Sequence, residues 1–180
     1  MIFLFFGCRQ NAAEQQQAPT RQEQTPAPPA AADTATQAQR PPYELEVFWS
    51  EFQEATEEGD GARVARLSRL PLTIPGRWLG EKGTRQVDAP TLRDKLTSIL
   101  TWWMIGQIYS TNPFELRRVV VDSTLARNLD LEPGVEAFWL EVEREEPAEG
   151  TQPEKVRLYF APVVAEGQKQ FKLVGIVPDK

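Results

Sequence analysis

A long segment near the amino terminus lacks the side chains that a folded core requires. Of the 32 residues from 11 to 42, 26 are Ala, Gln, Pro or Thr, none is aromatic, and no aliphatic side chain is larger than Ala. Such a segment cannot bury enough apolar surface to offset the entropy lost when its backbone is ordered. The sequence therefore predicts a disordered tether over residues 11–42 and a folded domain over residues 43–180.

The predicted domain has the apolar content that the tether lacks. It contains all five Trp, all three Tyr and six of the nine Phe residues, which is ample for one hydrophobic core. It also carries the whole net charge of −6, because it has 17 basic and 23 acidic residues while the charges before residue 43 cancel. Proteins that bind nucleic acid usually show a basic excess, so this class of partner is not expected.

The chain has no His and a single Cys. Zinc sites that use His, Ser-His-Asp triads and imidazole acid–base chemistry are therefore excluded. One Cys cannot form an internal disulfide. The sequence indicates neither a cofactor nor a metal site, although catalysis by a carboxylate or a Tyr is still open.

The amino terminus is an apolar run, Met1–Phe6, followed by Gly7 and Cys8. This pattern resembles the end of a bacterial lipoprotein signal, in which a small residue precedes a Cys that becomes lipidated. The resemblance implies a truncated signal over residues 1–10, lipidation at Cys8 and a location in the cell envelope outside the cytoplasm. Phe5 stands where Leu is usual and no basic residue precedes the run, so we interpret it as the end of a signal that starts further upstream. The alternative is a chance apolar start before a free cytosolic thiol.

The tether favours the anchored interpretation, because an anchored domain needs a spacer and a cytosolic domain does not. A flexible linker of this length has an r.m.s. span of roughly 30 Å. No later segment approaches the ~20 apolar residues that cross a bilayer. The predicted membrane connection is therefore an anchor.

The first part of the domain predicts helices. Apolar residues recur at helical spacing between Glu44 and Glu58, and a second, shorter helix follows the Gly59-Asp60 break. A hairpin is predicted over residues 72–87. A third helix is predicted from the N-cap Asp88 to about Trp103, and residues 104–114 are interpreted as a loop.

The last part of the domain predicts strands at residues 116–122, 135–145, 155–164 and 170–177. Alternation assigns a strongly apolar face that we expect to pack against the helices. Its members are Phe138, Leu140, Val142, Val156, Leu158, Phe160, Phe171 and Leu173. The opposite face is mixed, with an apolar centre formed by Trp139, Tyr159, Val174 and Ile176. The predicted fold class is α+β, with helices on one face of an antiparallel sheet.

The order of these elements resembles the NTF2-like, cystatin-like cone superfamily. The resemblance is carried by residues 48–55, the Gly59-Asp60 break, Leu70-Pro71-Leu72 and the strand pair at residues 156–160 and 171–176. It implies three N-terminal helices packed on a curved antiparallel sheet. The superfamily includes enzymes and binding modules, so the fold alone does not choose a function. No catalytic residue is carried over.

Five aromatic residues are candidates for a pocket or an interface: Trp102, Trp103, Tyr109, Trp139 and Tyr159. In a cone, the aromatics after the third helix would line a site for an apolar or carbohydrate ligand. The simpler interpretation is that they close the core over the sheet. Acidic residues at positions 141, 143 and 145 project to one side of a strand, which favours a solvated sheet edge over a metal site.

These observations favour a membrane-anchored envelope lipoprotein whose domain binds an unknown protein or small-molecule ligand without catalysis. A homodimer through the mixed sheet face is one interpretation of that face. The alternative is a small isomerase or hydrolase that uses a buried carboxylate with a Tyr in the cone. A purely structural spacer is the third hypothesis.

Overall fold

The structure, a computed structural model, describes residues 40–146, 152–165 and 167–179. The lipidation predicted at Cys8 and nearly all of the predicted tether lie outside these ranges. The described residues form helices and two antiparallel sheets, which confirms the predicted α+β class.

The described part of the chain contains six α-helices and six strands. The helices are α1 Tyr43–Glu57, α2 Gly61–Arg66, α3 Ala89–Asp94, α4 Leu96–Ile99, α5 Trp102–Ser110 and α6 Ser123–Leu129. The strands are β1 Leu72–Pro75, β2 Thr84–Val87, β3 Arg117–Val120, β4 Glu136–Glu143, β5 Lys155–Ala165 and β6 Gln168–Pro178. Strands β1 and β2 form a hairpin, and β3 to β6 form a second antiparallel sheet in chain order. Short 3₁₀ turns occupy Gly76–Leu79 and Pro113–Glu115.

The first two helices agree with the sequence pattern. The apolar side of α1 is buried, from Leu45 to Ala55. After α1, Gly59 adopts a φ of +67°, a value that suits Gly because it has no Cβ. Asp60 then caps α2 by accepting a hydrogen bond from the Arg63 backbone N–H at 2.9 Å.

The prediction of one continuous helix from Asp88 to about Trp103 is wrong. The backbone leaves the helical region at Lys95 and again at Leu100, so the segment is divided into α3, α4 and the start of α5. Thr101 then begins a new helix, since its hydroxyl accepts a hydrogen bond from the Met104 N–H at 3.3 Å. The loop predicted over residues 104–114 is likewise wrong as far as Ser110, because α5 continues to that residue.

Helix α6 was not predicted, because it is short and has only two buried residues. Its capping signals are present in the sequence. The Asp122 carboxylate accepts hydrogen bonds from the N–H groups of Thr124 and Leu125, both at 2.8 Å. Asp130 ends the helix with a φ of +51°, a conformation that Asp tolerates better than most residues.

The inward sheet face predicted from alternation is confirmed. Phe138, Leu158, Phe160 and Leu173 are buried in one hydrophobic cluster with side chains of α1 to α5 and of the β1–β2 hairpin. Phe160 contacts three aromatic rings of α1, with centroid distances of 5.3 to 5.7 Å. This cluster joins the helices to the long sheet.

The opposite sheet face has its own smaller cluster. Helix α6 contributes Ala126 and Leu129, which pack with Tyr159 and Val174. The placement of Ile176 on this face is wrong, since it is buried in the first cluster. The pairing of β5 with β6 is irregular. Phe160 pairs with Leu173, whereas Leu158, two residues earlier in β5, pairs with Ile176, three residues later in β6. The extra residue in β6 reverses its alternation, as β-bulges do.

Candidate functional site

The five aromatic residues predicted to form a pocket or interface lie on two sides of the long sheet. Trp102, Trp103 and Tyr109 are on α5, whose buried residues belong to the first cluster. Trp139 is partly buried and Tyr159 is buried on the opposite face, in or against the second cluster. The structure therefore brings the first three together on one helix and separates them from the other two.

Helix α5 exposes its aromatic side chains instead of closing the core with them. The exposed fractions are 64% for Trp102, 40% for Trp103 and 59% for Tyr109. Gly106 lies among them and is also exposed. We call these four residues the aromatic face. Met104, Ile105 and Ile108, on the other side of α5, are the residues that enter the core.

The carboxyl end of α5 is held by two side chains of α1. The Gln53 amide donates hydrogen bonds to the carbonyl oxygens of Ile108 at 2.8 Å, Tyr109 at 3.0 Å and Thr111 at 2.9 Å. The Trp49 indole N–H donates to the Thr111 carbonyl at 3.0 Å. The last carbonyls of a helix lack partners within the helix, so these side chains supply them. Sequence reasoning missed Gln53, because nothing local indicates that it reaches a segment 55 residues away.

The middle of α5 is joined to the end of β4 by one side-chain amide. Gln107 donates from Nε2 to the Glu143 carbonyl at 2.8 Å, and its Oε1 accepts from the Glu143 N–H at 3.0 Å. These two bonds occupy both backbone groups of Glu143, in the manner of a neighbouring strand. The carbonyl of Arg144, the next residue, accepts a hydrogen bond from the Thr101 hydroxyl.

The Arg144 side chain binds the end of α4, directly before the start of α5. It is buried, and it donates to the carbonyls of Ile99 at 2.9 Å and Ser98 at 2.5 Å, at the end of α4. The guanidinium carbon lies 4.2 Å from the centroid of the Trp78 ring, which is a cation–π distance. Burial lowers the pKa of Arg144, but an arginine remains charged at neutral pH. This buried cation is bound by carbonyl dipoles and an aromatic ring.

On the opposite sheet face, Trp139 lies near two guanidinium groups. The guanidinium carbons of Arg117 and Arg157 are 5.0 and 4.8 Å from its ring centroid. Arg157 also pairs with Asp179 at 3.0 Å and with Glu141 at 3.5 Å. The pKa of Glu141 is lowered, chiefly because its carboxylate accepts a hydrogen bond from Lys155. This part of the face therefore consists of surface ion pairs and guanidinium groups beside one indole ring.

A cleft of about 310 Å³ opens beside the first turn of α1. Phe138 and Phe171 form its apolar floor, and Glu44, Glu136 and Lys169 are among the charged residues that line it. The cleft therefore offers surface charges above an apolar floor.

In the described part of the chain no Asp or Glu is buried, and no group of three or more His, Cys, Asp and Glu side chains could hold a metal ion.

No protein-family model matches this chain, and neither does any curated protein or solved structure. Among the described residues, no helix is long and apolar enough to cross a membrane.

Proposed function

We propose that this chain is a lipid-anchored protein of the bacterial cell envelope whose NTF2-like domain is a non-enzymatic binding module, with the aromatic face as its binding surface. One observation carries the binding role. Three large aromatic side chains are exposed on a helix whose two ends and buried side are all held by the rest of the fold.

Exposed aromatics in such a setting favour recognition. Aromatic side chains supply much of the energy of binding interfaces, because each buries roughly 150–250 Å² when a partner covers it. Holding the helix in place before binding lowers the conformational entropy lost on association. The bonds from Gln53 and Gln107 provide that preorganisation.

The cone architecture is supported by the order of elements. The chain forms two helices, a hairpin and further helical segments, and then the four strands of the antiparallel sheet. Side chains of the helices α1 to α5 share one hydrophobic cluster with the inward sheet face. The division of the expected third helix and the presence of α6 are the departures from the simple plan. The anchor is supported by the sequence from Met1 to Cys8 and by the composition of residues 11–42.

We do not favour the alternative of a carboxylate-dependent isomerase or hydrolase. That chemistry needs a carboxyl group with a raised pKa in a deep pocket. The described carboxyl groups with a resolved pKa shift, those of Asp88, Asp94 and Glu141, all have a lowered pKa. The space between α1 and the sheet is filled by Trp49, Phe52 and other aromatic side chains.

The anchor is tested by lipid labelling in the organism that encodes the protein. Labelled palmitate should appear on the natural chain, which should sediment with membranes, and Cys8→Ser should lose both properties. A natural chain without label and in the soluble fraction would refute the anchor.

The binding surface is tested by site-specific photo-crosslinking in intact cells. A benzophenone amino acid at position 102 should give a defined adduct. The same probe at Val164, which is 77% exposed and lies at the far end of β5, serves as the matched control and should give none. No adduct at position 102, or equal adducts at both positions, would refute the role of the aromatic face.

A further inference from the structure

We infer that the aromatic face binds a second copy of this chain, with α5 packed antiparallel to α5 about a two-fold axis beside Gly106. This inference rests on the proposed binding role of the face and names its partner.

Gly106 is at the centre of the aromatic face in both directions. Along the helix, Trp103 and Tyr109 are each three residues away. Around the helix, at 3.6 residues per turn, Gly106 lies within the arc of about 120° that Trp102, Trp103 and Tyr109 span. A two-fold axis beside this point therefore brings Trp103 of each copy to the same height along the helix pair as Tyr109 of the other, on the two sides of Gly106, which is the self-complementary arrangement that such an axis requires.

The centre of the face is open. A Cβ placed on Gly106 would meet no atom within 4 Å. Two helix backbones can approach closely at such a position, because no side chain stands between them. Their antiparallel orientation also brings opposite ends of the two helix dipoles together.

The exposed area fits a weak dimer. From the exposed fractions of Trp102, Trp103 and Tyr109, each copy has ~400 Å² of aromatic surface to bury, or about 800 Å² for the pair. Phe114, which is 58% exposed, follows α5 closely and brings the total towards the roughly 1,000 Å² of a small specific interface. Each copy contributes half of this total area, and both halves come from the same residues.

Charge also favours α5 over the sheet face as the contact between copies. The domain has 23 acidic and 17 basic residues, so two copies repel each other. From Trp102 to Ser110 there is no charged residue. The sheet face predicted from the sequence as a dimer surface is partly covered by α6, and its open part carries the charges around Trp139.

The first test measures association of the full chain in the Cys8→Ser background by sedimentation equilibrium. The parent should show a reversible monomer–dimer equilibrium. Gly106→Glu should raise the dissociation constant at least tenfold, since it places a carboxylate beside its own copy at the axis. Its folding should not suffer, because the site is open and Glu is a better helix former than Gly. Val164→Glu is the matched control and should leave association unchanged.

The second test locates the axis with a single new thiol. Helix axes about 8–10 Å apart leave roughly 4–5 Å between Cα atoms at the axis, within or close to disulfide range. Gly106→Cys should therefore oxidise to a covalent dimer, whereas Arg117→Cys on the sheet face should not. A monomeric parent, an unaffected Gly106→Glu variant, or crosslinking at position 117 but not at 106 would overturn the inference.

These outcomes are distinguishable from failure of the proposed function. A photo-adduct at position 102 with a mass other than that of two chains, together with a monomeric parent, would keep the binding role and overturn the dimer. No adduct and a monomeric parent would overturn both.

Discussion

Replacing Phe160 with Ala tests the contact that joins the sheet to the first helix. Phe160 lies in β5 with 0% of its surface exposed. Its ring centroid is 5.7 Å from that of Phe48, 5.3 Å from Trp49 and 5.5 Å from Phe52. Two of these contacts, those with Trp49 and Phe52, have the edge-to-face geometry that aromatic pairs prefer.

The expected loss of unfolding free energy follows from burial and from these pairs. Truncating a buried Phe to Ala costs ~3–5 kcal/mol, because transfer energy is lost and a cavity remains. Each aromatic pair contributes about 0.5–1.5 kcal/mol beyond its buried area, so three pairs place Phe160 in the upper part of that range. We expect a loss of about 4–5 kcal/mol, which is a large share of the ~5–15 kcal/mol by which proteins are stable.

The assay is guanidinium unfolding followed by Trp fluorescence and by circular dichroism. Phe160→Leu keeps most of the volume and should cost more than about 1.5 kcal/mol but less than Phe160→Ala, since it removes the three aromatic pairs and little transfer energy. Phe114→Ala, at a position that is 58% exposed, should change stability by less than about 0.5 kcal/mol. A loss below about 2 kcal/mol for Phe160→Ala, or one equal to that of Phe114→Ala, would refute the packing of α1 on the sheet.

Four further substitutions probe the support of α5, the covered sheet face, the open side of α5 and a helix cap. Gln53→Ala should cost ~1–3 kcal/mol and speed amide exchange at the end of α5, because helix-end carbonyls lose their donor. Gly175→Ala puts a Cβ 2.3 Å from a buried side chain of α6 and should cost about 1–3 kcal/mol, while Gly106→Ala, in open space, should stabilise by ~0.5–1 kcal/mol in urea unfolding. The Asp88 carboxylate has a lowered pKa, chiefly from its hydrogen bond to Thr91, so its contribution is present above the unfolded pKa of about 4 and is lost as the pH falls. The destabilisation by Asp88→Ala should therefore shrink between pH 7 and pH 3, and a penalty that does not change with pH would contradict this assignment.

Local patterns predicted the elements whose signals are confined to a few neighbouring residues. The spacing of apolar residues in α1 and the Asp60 cap of α2 both agree with the structure. The same reasoning failed between Asp88 and Ser110, where a continuous apolar pattern concealed two breaks. Thr101 is a cap in the middle of that pattern, and hydrophobic periodicity alone does not reveal it.

The candidate site was only partly predictable. Composition and spacing identified Trp102, Trp103 and Tyr109 as residues of interest, but the simpler interpretation, that they close the core over the sheet, is wrong because all three are exposed. They are exposed because the opposite side of α5, with Met104 and Ile108, is the side that enters the core. The helix is held in that orientation by hydrogen bonds from Gln53 and Gln107, whose partners are distant in the chain.

The sequence by itself determined the α+β class and the inward side of the long sheet, because both follow from periodicities repeated over many residues. Only the tertiary structure decided where that periodicity reverses, since the extra residue in β6 is defined by its pairing with β5 and moves Ile176 to the first cluster. It likewise decided that α5 displays its aromatic residues. The physical reason is the same in both cases: hydrogen bonds between segments far apart in the chain, which no local pattern contains, select one backbone arrangement from several of similar local energy.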